Sequence, residues 1–319
     1  MDKQILVTGG CGFIGANLVP RLVEQGYQVR VLDNLSRGYL SFLKGVDIEF
    51  QKGDIRDSNA MKKAVQGMDA VIHLAAYGSV IESLSDAKTN FDINGKGTLT
   101  VLDAAKDEGV DKFILASTGG AIIGDAEPPV SENSIPRPKS PYGASKLTCE
   151  AYCQAYGNAF GLPTVMLRFA NIYGPFSAHK KGAVTVFIKA LISGDPITIY
   201  GDGSASRDFL HVDDLCNGII KTLETDLTPA TVMHLATGRE TSVMELMEIL
   251  KFLSGKKEHP VETFPSRAGE VLRNFANFDR AEKLIGFKPE ISLEKGLEKT
   301  WQWFLDQGEK ILKIETTDS

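Results

Sequence analysis

Cysteine is scarce in this chain, and where it occurs it is not arranged for cross-linking or for a metal. The four cysteines stand at 11, 149, 153 and 216, with neither a CxxC pair nor a metal-ligand spacing, which argues against a disulfide framework and predicts reduced thiols and no metal. Cys149 and Cys153 lie one helical turn apart and are expected to pack as small hydrophobes. Long apolar runs are missing too: none reaches the roughly 18 to 20 residues of a membrane span. The first apolar run begins too early to leave room for a secretory signal, so the expected compartment is the cytoplasm. Positive charge is not in excess. The formal net charge is -6, which leaves no basic footprint for nucleic acid. Repeats and low-complexity tracts are absent, and the five histidines are scattered. What remains, 319 residues of which 43% are hydrophobic and 24% charged, suits one or two globular domains with an ample core.

Residues 4 to 8, Gln-Ile-Leu-Val-Thr, form a continuous apolar run that leads into Gly9-Gly10-Cys11-Gly12-Phe13-Ile14-Gly15. Such a run predicts a strand buried on both faces of a parallel sheet. A glycine-rich turn between that strand and a helix is a dinucleotide-binding context, although a plain strand-to-helix turn is the alternative. At this spacing Gly9 permits the tight turn, Gly12 lets the backbone approach a pyrophosphate, and Gly15 lets the helix lie close on the strand. The helix is predicted to reach about Gln25, with Pro20 expected to kink it or bend its end. A second strand, Gln28 to Leu32, delivers Asp33 eighteen residues after Gly15, near the distance at which an acidic residue meets the adenosine ribose. A carboxylate there accepts both ribose hydroxyls and repels a 2′-phosphate, so the predicted cofactor is NAD, not NADP.

A third strand around Ile48 to Phe50 leads to Gly53-Asp54-Ile55, and a fourth, Ala70 to Leu74, ends in His73-Leu74-Ala75-Ala76. Ligands bind beyond the C-terminal ends of such strands. Asp54 is placed to meet adenine, Ala75 and Ala76 are small enough to let a cofactor pass, and His73 is expected to close its strand within the core. A fifth strand, Phe113 to Ala116, opens into Ser117-Thr118-Gly119-Gly120. Downstream, Ser140-Pro141 suits a helix start, and Tyr142 and Lys146, four residues apart, then share one helix face. A cation beneath a phenol favours the phenolate; bringing a tyrosine from about 10 to about 7 takes roughly 4 kcal/mol of differential stabilisation. Alone, such a pair is as readily a surface pair. With a hydroxyl from Ser117 or Thr118 it completes a Ser/Thr-Tyr-Lys constellation. Alternation of strand and helix to residue 168 predicts a doubly wound sheet. Beyond it the patterns predict a helix over 182–193, a strand over 196–200, a return of 209–235 to the first domain, and a helix over 241–253 opening on a Ser242/Glu245 capping box.

Together, Thr8 through Gly15, Asp33-Asn34-Leu35, Gly53-Asp54, His73 through Ala76, Asn94, Ser140 through Lys146, Leu167 through Pro175, Gly201-Asp202-Gly203 and Arg207-Asp208-Phe209 resemble the extended short-chain dehydrogenase/reductases, and within them the nucleotide-sugar 4-epimerases. The resemblance implies an α/β fold: a Rossmann-type doubly wound parallel sheet (residues 1–172, with 209–235 returning to it) and a smaller interleaved α+β substrate domain (173–208 and 236–319). It implies NAD held by Gly9, Gly12, Phe13, Ile14, Gly15, Asp33, Asn34, Asp54, Ile55, Leu74, Ala75, Ala76, Asn94, Tyr142 and Lys146, and a UDP-hexose as substrate. Tyr142 would take the proton of the sugar 4-hydroxyl, with its pKa lowered by Lys146, and Thr118 or Ser117 would supply the companion hydroxyl. Asn171, Arg207 and Arg267 would hold the diphosphate. Val184, Phe187 and Tyr200 would flank the uracil, and Ser79 and Val80 would line the sugar pocket. Asn274 would wall that pocket beside the C2 substituent, where asparagine in place of tyrosine leaves room for an N-acetyl group. A homodimer joined through the helices near 90–107 and 143–159 is implied in the same way.

The chain departs from that pattern at three places. The serine or threonine common five residues before the glycine at 124 is Gly119, so the hydroxyl must come from Thr118 or Ser117 through a shifted loop. The tyrosine before that glycine is Ile123, and a lysine that some members carry is Gly78. Two rival readings follow. A nucleotide-sugar 4,6-dehydratase needs an acid-base pair directly after the catalytic threonine, where Gly119-Gly120-Ala121 stands. A non-catalytic dinucleotide-binding sensor needs none of Tyr142, Lys146 and the phosphate arginines.

Overall fold

The apolar N-terminal run forms β1 (Gln4–Thr8) in a computed structural model that describes residues 3–266 and 271–308. Successive strand residues face opposite ways, so β1 contributes to two cores: Ile5 and Val7 pack on one side of the sheet and Leu6 on the other. It is joined by β2 (Gln28–Asp33), β3 (Glu49–Lys52), β4 (Ala70–His73), β5 (Lys112–Thr118) and β6 (Thr164–Phe169). With the late strand Thr231–Leu235 they make one parallel, seven-stranded sheet in the order late strand, β6, β5, β4, β1, β2, β3. The chain order reverses about β1, and the C-terminal ends of β1 and β4 open a crevice there.

One face is covered by α1 (Phe13–Glu24) and the Val212–Glu224 helix, the other by the helices Ser58–Val65, Gly97–Glu108 and Pro141–Phe160. The α1 helix runs from Phe13 to Glu24 with Pro20 inside it. All four cysteines are buried and unpaired, Cys149 and Cys153 in the second core. His73 sits where its strand predicts, between the Thr8 Oγ1 (2.7 Å) and Thr98 Oγ1 (3.0 Å) hydroxyls. Burial, and then the Lys146 charge, lowers its pKa to about 3.

A separate core gathers the helices Ala183–Ser193, Val243–Leu253 and Leu293–Gln307 with the strand Ile197–Tyr200. The predicted cap is in place there, Ser242 Oγ accepting the Glu245 amide at 3.0 Å. Residues 209–211 pair with 171–173 in a separate two-stranded sheet, and the strand Thr231–Leu235 pairs with β6 of the large one. One piece expected in the smaller domain lies on the other side: the Asp279–Ile285 helix puts Ala281 and Ile285, with Phe287 after it, into the core beneath α1. Its apolar i, i+4 pair buries against whichever core is nearer, and the chain returns to the smaller one only at Leu293. Among the described residues no helix is long and apolar enough to cross a membrane.

Candidate active site

A cavity of about 760 Å³ fills the crevice between the two cores. Its floor is the glycine turn. Gly9 adopts a left-handed φ of +70°, and a Cβ there would stand 2.6 Å from the Ala75 amide nitrogen, so the turn and the segment after β4 touch backbone to backbone. At Gly15 a Cβ would fall 2.3 Å from the Gly10 carbonyl oxygen, whereas at Gly12 the nearest atom is 3.3 Å away. The N-terminus of α1 has no side-chain cap and no acidic residue in its first turn, which leaves its amides free for an anion. Phe13, Ile14 and Gly15 line the cavity with Gly9 and Gly12. Asp33 closes the second strand with Oδ2 accepting the Cys11 amide (3.0 Å) and Oδ1 the Leu35 amide (2.8 Å). Each oxygen keeps a free lone pair, and burial raises the carboxyl above its ordinary value against those two bonds. Uncapped amides beside a glycine that leaves the wall open, with a carboxylate at the next strand end, fit a dinucleotide diphosphate and ribose.

Asn34, Asp54, Ile55, Leu74, Ala75 and Ala76 also line the wall. Asp54 is gripped at both oxygens by Arg56 (2.9 Å each) and at Oδ2 by Asn34 Nδ2 (3.0 Å), which holds its carboxyl far below the usual range. Asn94 is set deeper. It is 1% exposed and behind the wall: Oδ1 accepts the Tyr77 amide at 2.8 Å and Nδ2 donates to Ser145 Oγ at 2.9 Å, so it ties the loop after β4 to the helix that carries Tyr142.

Ser140 Oγ caps the Pro141–Phe160 helix at Gly143 N (3.1 Å), with Pro141 in its first turn. Tyr142 and Lys146 both reach the wall. They do not bond each other. Lys146, 3% exposed, donates to the Ala116 carbonyl at 2.8 Å. Burial pushes the Tyr142 phenol well up and the Lys146 ammonium down, so the lowering expected from Lys146 has that burial to overcome. Of the two hydroxyls, Ser117 Oγ is committed to Glu150 Oε1 (2.6 Å), which is ion-paired in the core with Arg168 (2.8 Å). Thr118 ends β5 at the wall, and its hydroxyl meets no partner among the described residues.

Across the cavity stand Ser79, Val80, Asn171, Val184, Phe187, Tyr200, Arg207 and Asn274. Ser79 Oγ caps its helix at Glu82 N (3.2 Å) and Asn171 N donates to the Asp208 carbonyl (2.8 Å). Val184 and Phe187 belong equally to the smaller core. Arg207 and Asn274 are register partners on neighbouring strands. Asn274 is 8% exposed, its Nδ2 is buried without a partner among the described residues, and a Cβ on Gly120 would fall 2.6 Å from that nitrogen. Arg267 lies outside the described residues. Sequence reasoning missed Arg37, Glu82, His179 and Lys180, which also line the cavity; a Lys-Lys pair in a polar loop carries no local signal that separates it from a solvated surface.

The carboxylate at position 33 carries a prediction. For like charges about 4 Å apart the repulsion is about 1 kcal/mol even in water. Asp33→Asn is therefore expected to shift the ratio of NADP to NAD affinity by at least about fivefold toward NADP, measured by calorimetry on cofactor-free protein. Equal binding of the two cofactors by the unaltered protein would contradict the assignment.

Comparison with known proteins places this geometry. The family described as NAD dependent epimerase/dehydratase matches residues 5–235. A protein described as a putative UDP-glucose 4-epimerase of Methanocaldococcus jannaschii is 36% identical over 304 residues, covering 94% of this chain and 98% of that protein. The crystal structure of UDP-glucose 4-epimerase from Thermotoga maritima with UDP-glucose superposes with a TM-score of 0.91 at 36% identity, covering 95% of this chain and 99% of that one. A dTDP-glucose 4,6-dehydratase from Streptomyces venezuelae with NAD bound superposes with a TM-score of 0.93 at 32% identity, covering 98% and 100%.

Proposed function

The chain belongs to the NAD-dependent epimerase/dehydratase family, and from that premise we propose that it inverts C4 of a UDP-hexose through a transient 4-keto sugar, accepting N-acetylated as well as plain sugars. The observation that carries the choice within the family is the turn after Thr118. A dehydratase must protonate the departing 6-hydroxyl, which needs a positioned acid. Gly119-Gly120-Ala121 offers no carboxylate, and the space beside Gly120 is filled by Asn274.

In this reading the turn Gly9–Gly15 and Asp33 would hold NAD, which would supply the hydride acceptor and donor and a positive charge that, with Lys146, opposes the burial raising the Tyr142 phenol. Tyr142 Oη then takes the proton of the sugar 4-hydroxyl and later returns it. Thr118 Oγ1 hydrogen-bonds the same sugar oxygen, and Lys146, fixed by the Ala116 carbonyl, holds the positive charge beside both. Arg207, Arg267 and Asn171 grip the diphosphate of the substrate, and Val184, Phe187 and Tyr200 flank its base. The 4-keto sugar turns over in the cavity and is reduced on its other face.

Asn274 supports the acetylated substrate. Its Nδ2 finds no partner among the described residues, and a buried donor left unsatisfied costs about 1–3 kcal/mol, which an acetamide carbonyl would relieve. We also assign a homodimer to the neighbouring helices Gly97–Glu108 and Pro141–Phe160, on which Tyr152 and Phe160 are exposed. The experiment is incubation with each of UDP-glucose, UDP-galactose and their N-acetylated counterparts. The C4 epimer is expected from every one; a 6-deoxy product, or none, would sink the proposal.

A further inference from the structure

Where the cavity meets the smaller domain, distant segments assemble four basic side chains for which the mechanism has no use. Arg37 stands in the loop after β2, and His179, Lys180 and Lys181 lead into the Ala183–Ser193 helix. Glu82 holds two of them in place, accepting Arg37 Nη2 at 2.6 Å and Lys181 Nζ at 3.0 Å. The Arg37 guanidinium also lies 4.3 Å over the Tyr77 ring. Aromatic contacts pack the two loops together: Tyr39 with His179 (6.2 Å between centroids) and Phe42 with Phe176 (5.0 Å). The first loop sits in turn on the glycine turn, the Tyr39 amide donating to the Cys11 carbonyl at 2.9 Å. A Cβ on Gly38 would come within 2.8 Å of the Cys11 backbone. The basic cluster is thereby fixed beside the turn that receives a diphosphate.

Arg37 and Lys181 share the carboxylate of Glu82, and Lys180 is not bonded to it. The Lys180 ammonium has no acceptor among the described residues, and burial, together with the nearby Arg37 charge, pushes its pKa down. His179 Nδ1 is buried without a partner, in a ring that burial brings to a pKa of about 4. A desolvated ammonium beside a guanidinium is unfavourable until an anion arrives, and a glutamate already shared by two cations is a poor candidate. An incoming diphosphate has the charge and the acceptors that Lys180 lacks, and oxygens for the guanidinium nitrogens of Arg37 that Glu82 leaves over.

We infer that Lys180, with Arg37, forms a diphosphate clamp across the cavity that Glu82 holds ready before ligand enters. The diphosphate can be that of the bound dinucleotide or that of the nucleotide sugar. The inference rests on family membership and on this cluster, not on the C4 chemistry, so a protein that proved to be no epimerase would leave it standing. Binding, not turnover, is therefore the readout. Cofactor-free Lys180→Met, Lys180→Arg and Arg37→Gln proteins are titrated calorimetrically with NAD and, separately, with UDP, at low and at high salt, and their folding is checked by thermal melting. Lys180→Met is expected to melt no lower than the unaltered protein, because Lys180 is only half-buried and its ammonium bonds no described residue, so its loss orphans no partner. It is expected to lose at least about tenfold in affinity, the scale of a lost charge-assisted bond, with Lys180→Arg retaining most of it and Arg37→Gln weakening the same ligand. Loss for NAD alone assigns the clamp to the cofactor; loss for UDP alone assigns it to the substrate. Unchanged affinity for both ligands at low salt, in Lys180→Met or, should that variant not fold, in Arg37→Gln, overturns the inference.

Discussion

Tyr142→Phe is expected to keep the fold and the bound NAD while lowering kcat by at least about a hundredfold, the low end for removal of a general acid–base group. The structural half of that expectation follows from the contacts. The Tyr142 backbone amide bonds Ser83 Oγ at 3.1 Å, but its hydroxyl bonds no described residue, so deleting one oxygen leaves no partner orphaned. The chemical half follows from position: in this reading no other group at the wall can both take and return the 4-hydroxyl proton, since Lys146 is held by the Ala116 carbonyl and Thr118 carries an unactivated hydroxyl. Rates at several substrate concentrations, with bound NAD quantified by absorbance after denaturation, separate the two halves. Turnover within a fewfold of the unaltered protein would remove Tyr142 from the reaction; loss of NAD would show that the substitution acted on binding.

Asn274→Tyr is expected to cost the protein its acetylated substrate while leaving it the plain one. The residue is buried, paired in register with Arg207 and packed against Gly120, where even a methyl would collide with its amide. A tyrosine has no room toward Gly120 and must extend into the cavity. Overfilling a packed site costs about 1–3 kcal/mol, roughly a 5- to 150-fold loss in kcat/KM, and the acetylated sugar alone meets it because it alone occupies that space. The comparison is kcat/KM for UDP-N-acetylglucosamine and UDP-glucose in one preparation. An equal fall for both would place Asn274 elsewhere than beside C2.

Local chemistry was legible in the residues; convergence was not. The run Ile5-Leu6-Val7, the glycines that follow it and Asp33 each act through their own backbone or strand end, so their places could be read along the chain. The helix face shared by Tyr142 and Lys146 was equally local, but the electrostatics were not: burial and the Ala116 carbonyl decide which group carries charge, and neither is visible in a four-residue spacing. What Asn94 bonds was not local either: its amide bridges Tyr77 and Ser145, residues 17 and 51 positions away. Ser117 lines the cavity, but its hydroxyl is taken by Glu150, which a buried ion pair with Arg168 holds in place. The apolar pair of the Asp279–Ile285 helix fits either core, and the basic cluster at Arg37 and Lys180 exists only because two loops pack through aromatic rings.

The most direct measurement uses UDP-glucose deuterated at C4, incubated with purified protein without added cofactor and followed by NMR. A hydride that leaves C4 and returns to it within one closed cavity predicts UDP-galactose with the deuterium still at C4 and no 6-deoxy product. Deuterium lost to the medium, or a 4-keto-6-deoxy sugar in place of the epimer, would contradict the account.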